Sequence, residues 1–225
     1  MNNEIRAMYD ENSICVYQAF NKSIAEEAVG LQTFGEHFKM DRMTWIKPSF
    51  LWMMYRSGWA SKVDQEHVLR IYMCREGFEK LVHNGVISKY DENGDYSLEE
   101  WKTRIKYSDV RIQWDPERNI YGEPQMFRSL QIGIRNRMLM NYVNDWIVKI
   151  EDISEYVHEQ KKLIDLGRAK EVLLPNEQKY VFVEDEKGIS LESRQKISIV
   201  AGETVRFEGK KVIIDTPTNM RLARR

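Results

Sequence analysis

Two short segments in which apolar and polar residues alternate place the strongest constraint on the fold. Residues 110–114 (VRIQW) and 128–134 (RSLQIGI) both have the two-residue period of a β-strand with one buried face. Their apolar residues must face a core, so the polar ones share the opposite face if the two strands are neighbours. That face would carry Arg111, Gln113, Ser129 and Gln131.

Further strand-type runs at 13–19, 67–73 and 146–153 are interrupted by helical segments in no regular order. This pattern predicts an α+β fold with a mainly antiparallel sheet and flanking helices, because a doubly wound sheet needs regular alternation. We predict an α+β core domain over residues 1–166 and a β-rich C-terminal extension over 167–225. The extension is suggested by short β-type runs at 180–183, 197–200, 205–207 and 212–214.

Composition excludes several classes of protein. The 225 residues include 34 Lys and Arg against 35 Asp and Glu, so no overall positive charge exists to bind nucleic acid non-specifically. The 6 Trp, 11 Tyr and 8 Phe exclude an intrinsically disordered chain. The start has no signal-peptide pattern, and the longest uncharged apolar run (48–55) is far below the roughly 20 residues of a membrane span. We expect a cytoplasmic protein with no membrane partner.

The densest cluster of cations and indoles lies in residues 42–59, where a helix is predicted from Pro48 to Gly58. A lysine just before a helix start is unfavourable, because the helix dipole is positive there. A bound anion would explain it. We therefore expect a phosphate at the first turn, a second phosphate or a carboxylate clamped by two arginines, and a base stacked on Trp45 or Trp59. The first phosphate would contact Thr44, Lys47 and Ser49, and the second Arg42 and Arg56. The alternative is a buried helix with Lys47 reaching solvent.

The polar sheet face is the second candidate site. Gln113 and Gln131 would orient a polar ligand, and Gly133 would allow its close approach. Asp115 and Glu117 are the candidate acid and base, although residues 115–119 (DPERN) equally suggest a turn. An ordinary solvated sheet face is the alternative. The four histidines are scattered without the spacing of metal ligands, so no metal is expected.

Six segments of the chain resemble, in the same order, the bacterial and fungal family known as domain of unknown function 4291. They are EIRAMYDENSICVYQAF, DRMTWIKPSFLWMMYRSGWASK, VLRIYMCREGFE, VRIQWDPERN, RSLQIGI and WIVKIEDIS, over about residues 4 to 157. The later LLPNEQKY matches the family pattern more loosely.

The order of elements is also similar to the ADP-ribosyltransferase-like fold. That similarity implies a split antiparallel sheet that holds NAD. It would place Gln18 at the cofactor-anchoring position of an early strand and Gln113 or Gln131 at the late-strand position. This sequence has amides there instead of the H-Y-E or R-S-E residues, and an amide can hold a ribose hydroxyl but cannot act as a carboxylate base.

Together these features predict a nucleotide- or phosphate-recognising enzyme that acts on a nucleic acid or a small molecule. The similarity to the ADP-ribosyltransferase-like fold implies NAD as its cofactor, and a phosphorylated nucleic-acid end is the alternative ligand. The first alternative is a non-catalytic module that binds single-stranded nucleic acid or a phosphorylated metabolite. The second is a partner-binding scaffold in which residues 42–59 are simply core.

Overall fold

The computed structural model describes residues 2–94 and 96–183. The α-helices in this part are Lys22–Leu31 (α1), Phe50–Ser57 (α2), Arg75–His83 (α3), Leu98–Tyr107 (α4), Asn136–Asn141 (α5) and Ser154–Asp165 (α6). The strands are Asn2–Asn3 (β1), Arg6–Ala7 (β2), Ser13–Phe20 (β3), Thr44–Ile46 (β4), His67–Cys74 (β5), Val86–Ile87 (β6), Val110–Arg118 (β7), Pro124–Ile134 (β8), Ile147–Asp152 (β9) and Gln178–Lys179 (β10). The α+β class is confirmed.

Two sheets carry the fold. The first is antiparallel, in the order β3-β5-β9. The second pairs β7 with β8 and β8 with β4, all antiparallel, and has the short parallel strands β1 and β6 at its edges. The sheets meet where Tyr17 of β3 and Lys47, just after β4, exchange backbone hydrogen bonds of 2.7 and 3.2 Å.

The apolar face of the second sheet is buried against the first sheet. Ile112, Ile132 and Ile134 pack in one cluster with Ile71 of β5 and Phe78 of α3. A second cluster lies on the other face of the first sheet, where α2 and α6 pack. Its members include Tyr17, Phe50, Met54, Val68 and Val157. The two clusters bury opposite faces of β3, which explains why the residues on both faces of this strand are nearly all apolar.

The predicted pairing of the two alternating segments is confirmed. Gln113 of β7 lies opposite Gln131 of β8, and Asp115 lies opposite Ser129. The predicted turn at 115–119 is wrong, because β7 continues to Arg118 and the turn follows at Asn119. The register shifts between Pro116 and Arg118, and such an irregularity tolerates a proline within a strand.

The helix predicted from Pro48 begins two residues later. Ser49 is its N-cap, with the hydroxyl accepting from the Trp52 N–H at 3.1 Å, and Gly58 ends it in a left-handed conformation. A capping box is formed by Ser97 and Glu100 at the start of α4. Within the part of the chain that the structure describes, no helix has the length and apolar character needed to cross a bilayer.

The predicted boundary at residue 166 stays a prediction. Residues that follow it within the described range pack on the core: Leu173 O accepts from the Tyr156 hydroxyl, β10 pairs with β2, and Tyr180 is buried in the larger cluster. Of the runs expected in a β-rich extension, residues 197–200, 205–207 and 212–214 lie outside the described residues, whereas 180–183 contain no strand.

Candidate functional site

An open cavity of about 880 Å³ lies beside the junction of the two sheets. Four separate parts of the chain line it: the end of β3 with the start of α1, the loop and strand at 37–45, one side of α2 with the following turn, and the polar face of β7 and β8. Seven residues that the sequence analysis singled out are brought together here: Gln18, Arg42, Thr44, Trp45, Arg56, Gln113 and Gln131.

Positive charge dominates the cavity wall. Lys39, Arg42 and Arg56 line it, whereas Asp64 is the one acidic residue among the lining residues described. Lys39 and Arg42 are exposed and form no ion pair within the residues that the structure covers. Arg56 donates to Gln65 Oε1 at 3.3 Å, which leaves its charge uncompensated. An anion in this cavity would therefore meet charges that the protein itself does not neutralise.

The amides of Gln113 and Gln131 form the sheet side of the cavity. Gln113 Nε2 donates to Asp115 Oδ1 at 2.9 Å, and this bond fixes the orientation of the amide. Asp115 does not line the cavity, so its direct contact is with Gln113. Its other oxygen, Oδ2, is buried and has no hydrogen-bond partner within the described residues.

Trp45 lies over Gly133, its partner in the β4–β8 pairing. A Cβ at Gly133 would come within 2.9 Å of the indole and 2.7 Å of Met43 Sδ. The glycine thus makes room for the protein's own side chains, whereas the sequence suggested room for a ligand. Trp59, the other proposed stacking residue, is buried edge-on against Phe50 and does not line this cavity.

Gln18 is a buried cross-link between the two sheets. Its Nε2 donates to Thr44 Oγ1 at 2.7 Å and to the Trp45 carbonyl at 3.1 Å, and its Oε1 accepts from the Tyr142 hydroxyl at 3.0 Å. The side chain is 3 % exposed. Its polar atoms are therefore already occupied, which agrees with a satisfied core glutamine.

The first turn of α2 is not the open anion site that we expected. The Phe50 N–H donates to Glu177 Oε1 at 2.6 Å, and Ser49 caps the helix. A carboxyl group from the C-terminal segment thus takes the expected place of the phosphate. Thr44 and Lys47 do not converge either, because residues three apart on extended backbone point to opposite faces.

Lys47 is buried, with 4 % of its surface exposed. Its ammonium lies 5.7 Å from the centre of the Trp52 ring and forms no hydrogen bond or ion pair with the described residues. Burial and, to a smaller extent, the positive charge of Arg56 lower the pKa of Lys47 to about 8, although Asp115 opposes the shift. The sequence shows that Lys47 lies in an aromatic segment, but its burial could not be predicted from the sequence.

Glu117 is buried and lines a different cavity, of about 440 Å³. Ser49, Arg6 and Glu177 line the same cavity. The structure therefore does not bring Asp115 and Glu117 into one site as an acid and base pair. Burial raises the pKa of Glu117. Burial and, to a smaller extent, the nearby Glu117 raise the pKa of Glu177 to about 8, although the hydrogen bond from the Phe50 N–H opposes the shift.

Sequence reasoning missed Glu177, and its one signal was the LLPNEQKY segment. No group of three or more His, Cys, Asp or Glu in the described residues has the geometry to hold a metal ion.

Comparison with known proteins gives one finding. The family model described as "Domain of unknown function (DUF4291)" matches residues 4–180, well over half of the chain. The comparison with curated proteins finds no match.

Proposed function

The chain belongs to the domain of unknown function 4291 family, and we propose that its open cavity binds a nucleotide or a related phosphorylated molecule. One observation carries the proposal: Lys39, Arg42 and Arg56 line a single cavity with one acid, Asp64. Guanidinium groups bind phosphate through paired, charge-assisted hydrogen bonds, so two arginines that form no ion pair with the described residues suit a phosphate or diphosphate.

The rest of the cavity suits the uncharged part of a nucleotide. The Gln113 and Gln131 amides offer donors and acceptors for a ribose hydroxyl or a base edge, and Trp45 offers an aromatic surface for a base. The volume of about 880 Å³ is within the usual range for small-molecule sites and is large enough for a dinucleotide such as NAD.

ADP-ribosyl transfer from NAD is the second candidate function, favoured by the buried, unpartnered Oδ2 of Asp115 behind Gln113. Such a transfer breaks the bond between ribose and nicotinamide, releases nicotinamide and joins the ribose to a nucleophile on the substrate. The nucleophile gives up a proton in this step, so the reaction needs a carboxylate near the ribose to accept it, and Asp115 would have to turn away from Gln113 to reach that position. Nucleotide binding alone does not need a carboxylate near the ribose, so binding is the primary proposal.

Calorimetric titration with adenosine, AMP, ADP-ribose and NAD tests the proposal. We expect the phosphate-bearing ligands to bind and adenosine to bind far more weakly. Arg42→Gln and Arg56→Gln should each weaken binding about ten- to hundredfold, because a hydrogen bond to a charged group contributes roughly 1.5–3 kcal/mol. Arg137→Gln, an exposed arginine outside the cavity, is the matched control.

Adenosine binding as tightly as AMP would contradict the proposal, as would unchanged affinity in both cavity variants. Nicotinamide release from NAD, lost in Asp115→Asn, would support the transfer reaction. Binding of NAD without release of nicotinamide would support a non-catalytic binding module.

A further inference from the structure

A second cavity, of about 530 Å³, is lined in part by the same turn after α2 that contributes Asp64 and Gln65 to the proposed nucleotide site. Gly58, Trp59 and Ser61 line it on one side, and His158, Lys161 and Lys162 of α6 on the other. The turn after α2 separates the two cavities, since Arg56 lines the first and Gly58 the second. Two Cα–Cα steps span at most about 7.6 Å, so the backbone at these two lining residues is close.

Positive charge is concentrated along these two cavities. Five Lys and Arg residues line them against two acids, Asp64 and Asp165, whereas the whole chain has a net charge of -1. Lys161 is paired with Asp165, but Lys162 is exposed and forms no ion pair within the described residues. Lys62 lies in the intervening turn, where its ammonium donates to the Arg56 carbonyl at 2.7 Å. A polyanion that crosses both rims would meet cations throughout.

The turn between the cavities has a well-defined conformation. Trp59, Ala60 and Asp64 all have left-handed backbone, with φ of 56°, 62° and 62°. The N–H groups of Ser61 and Lys62 both donate to the Ser57 carbonyl, at 3.2 and 3.1 Å. These bonds fix the wall that both cavities share, so the two sites are held at a constant spacing.

We propose that the nucleotide bound in the first cavity belongs to a single-stranded nucleic acid, and that the second cavity holds an adjacent phosphate of the same strand. This inference rests on the proposed function. The Gln113 and Gln131 amides line the cavity wall, and a base has to leave the stack of a duplex to reach them, so a single strand fits this site best. Cations that follow the backbone beside an aromatic surface are the usual means of binding such strands.

The test compares an oligonucleotide with a mononucleotide on the same variant. Fluorescence anisotropy with a labelled single-stranded RNA of about ten nucleotides measures the first, and calorimetry with AMP the second. We expect Lys161→Gln/Lys162→Gln to weaken RNA binding about tenfold and to leave AMP binding unchanged. The slope of log affinity against log salt should fall by about 1.4 if both lysines contact phosphates, or by about 0.7 if one does.

The control is Lys80→Gln/Lys102→Gln, two exposed helical lysines elsewhere that are paired with nearby carboxylates. Thermal unfolding of both double variants checks that they remain folded. An unchanged RNA affinity and salt slope in Lys161→Gln/Lys162→Gln, with AMP still bound by the wild type, would overturn this inference and leave the proposed function standing. Equal affinity for a duplex of the same length would also overturn it. Absence of AMP binding in the wild type would overturn the proposed function and this inference with it.

Discussion

The buried charge of Lys47 is expected to lower the stability of the fold. Its ammonium is buried beside the Trp52 ring, and its nearest charged influences are Arg56, which repels it, and Asp115. Desolvation without an ion pair is expensive, and like charges at short range add to the expense. A cation kept in such a place indicates a role other than stability.

We predict that Lys47→Met stabilises the protein at pH 7, by roughly 1–3 kcal/mol in the free energy of unfolding. The pKa of Lys47 is about 8 in the folded chain against 10.5 for an ordinary lysine. Between those values the unfolded chain holds a proton that the folded chain lacks, so the stability of the wild type rises with pH. The advantage of the variant should therefore shrink from pH 8 to pH 10.5.

Urea unfolding of both proteins at pH 7 and pH 10 measures the difference, and Lys102→Met, an exposed lysine, is the control. A variant that is less stable than the wild type at pH 7 would show that the ammonium has a stabilising partner.

At the level of secondary-structure elements, the start of α2 depends on a residue far away in the sequence. The Glu177 carboxyl accepts from the Phe50 N–H across 127 residues, and β10 holds this segment against β2. The sequence predicted α2, although with a start at Pro48 instead of Phe50. It could not supply the partner of the first turn of this helix, because local propensity and capping patterns contain no information on contacts at such separation.

Glu177 should make stability depend on pH in the opposite sense to Lys47. Its pKa is raised from 4.5 to about 8, so between those values the folded chain holds a proton that the unfolded chain has lost. Stability from this group is complete below pH 4.5 and is lost as pH rises through 8. Glu177→Gln keeps the acceptor for Phe50 N–H and removes the titration. We predict that it gains roughly 1–2 kcal/mol over the wild type between pH 5 and pH 8.5.

Chemical denaturation at both pH values checks this prediction, with exposed Glu36→Gln as control. Glu177→Ala should be destabilised at both, because it leaves the Phe50 N–H without its acceptor. A Gln variant that loses stability as pH rises, in parallel with the wild type, would assign the titration to another group.

For the molecule as a whole, the sequence predicted the fold class and the polar sheet face because both follow from residue periodicity. The pairing of Gln113 with Gln131 is an example, since their apolar neighbours left one orientation for each strand. The sequence could not show which of Trp45 and Trp59 lies at the proposed site, or that Asp115 and Glu117 lie in different places. Within each pair the two residues lie in similar local patterns, and tertiary packing places them apart: Trp45 lines the first cavity, Trp59 the second and Glu117 a third, whereas Asp115 contacts Gln113.

The last prediction concerns Gln18, whose hydrogen bonds connect the two sheets. Gln18 bonds to β4 through Thr44 and the Trp45 carbonyl, and to the segment after α5 through the Tyr142 hydroxyl. Gln18→Leu would leave that hydroxyl buried, with no exposed surface and no acceptor. Such a loss costs roughly 1–3 kcal/mol. We therefore predict a lower melting temperature, while AMP affinity well below that temperature changes less than threefold.

A cofactor-anchoring Gln18, as the ADP-ribosyltransferase-like reading implies, would produce the reverse: a large loss of NAD affinity with little change in unfolding. Gln18→Glu separates the two roles further. It retains an acceptor for Tyr142 but loses the donor to Thr44 and places a carboxylate in a buried position, so its stability should recover as pH falls and the group becomes protonated. The fold uses this one amide to hold both sheets around the cavity, and its effect on a ligand then acts through the shape of the site.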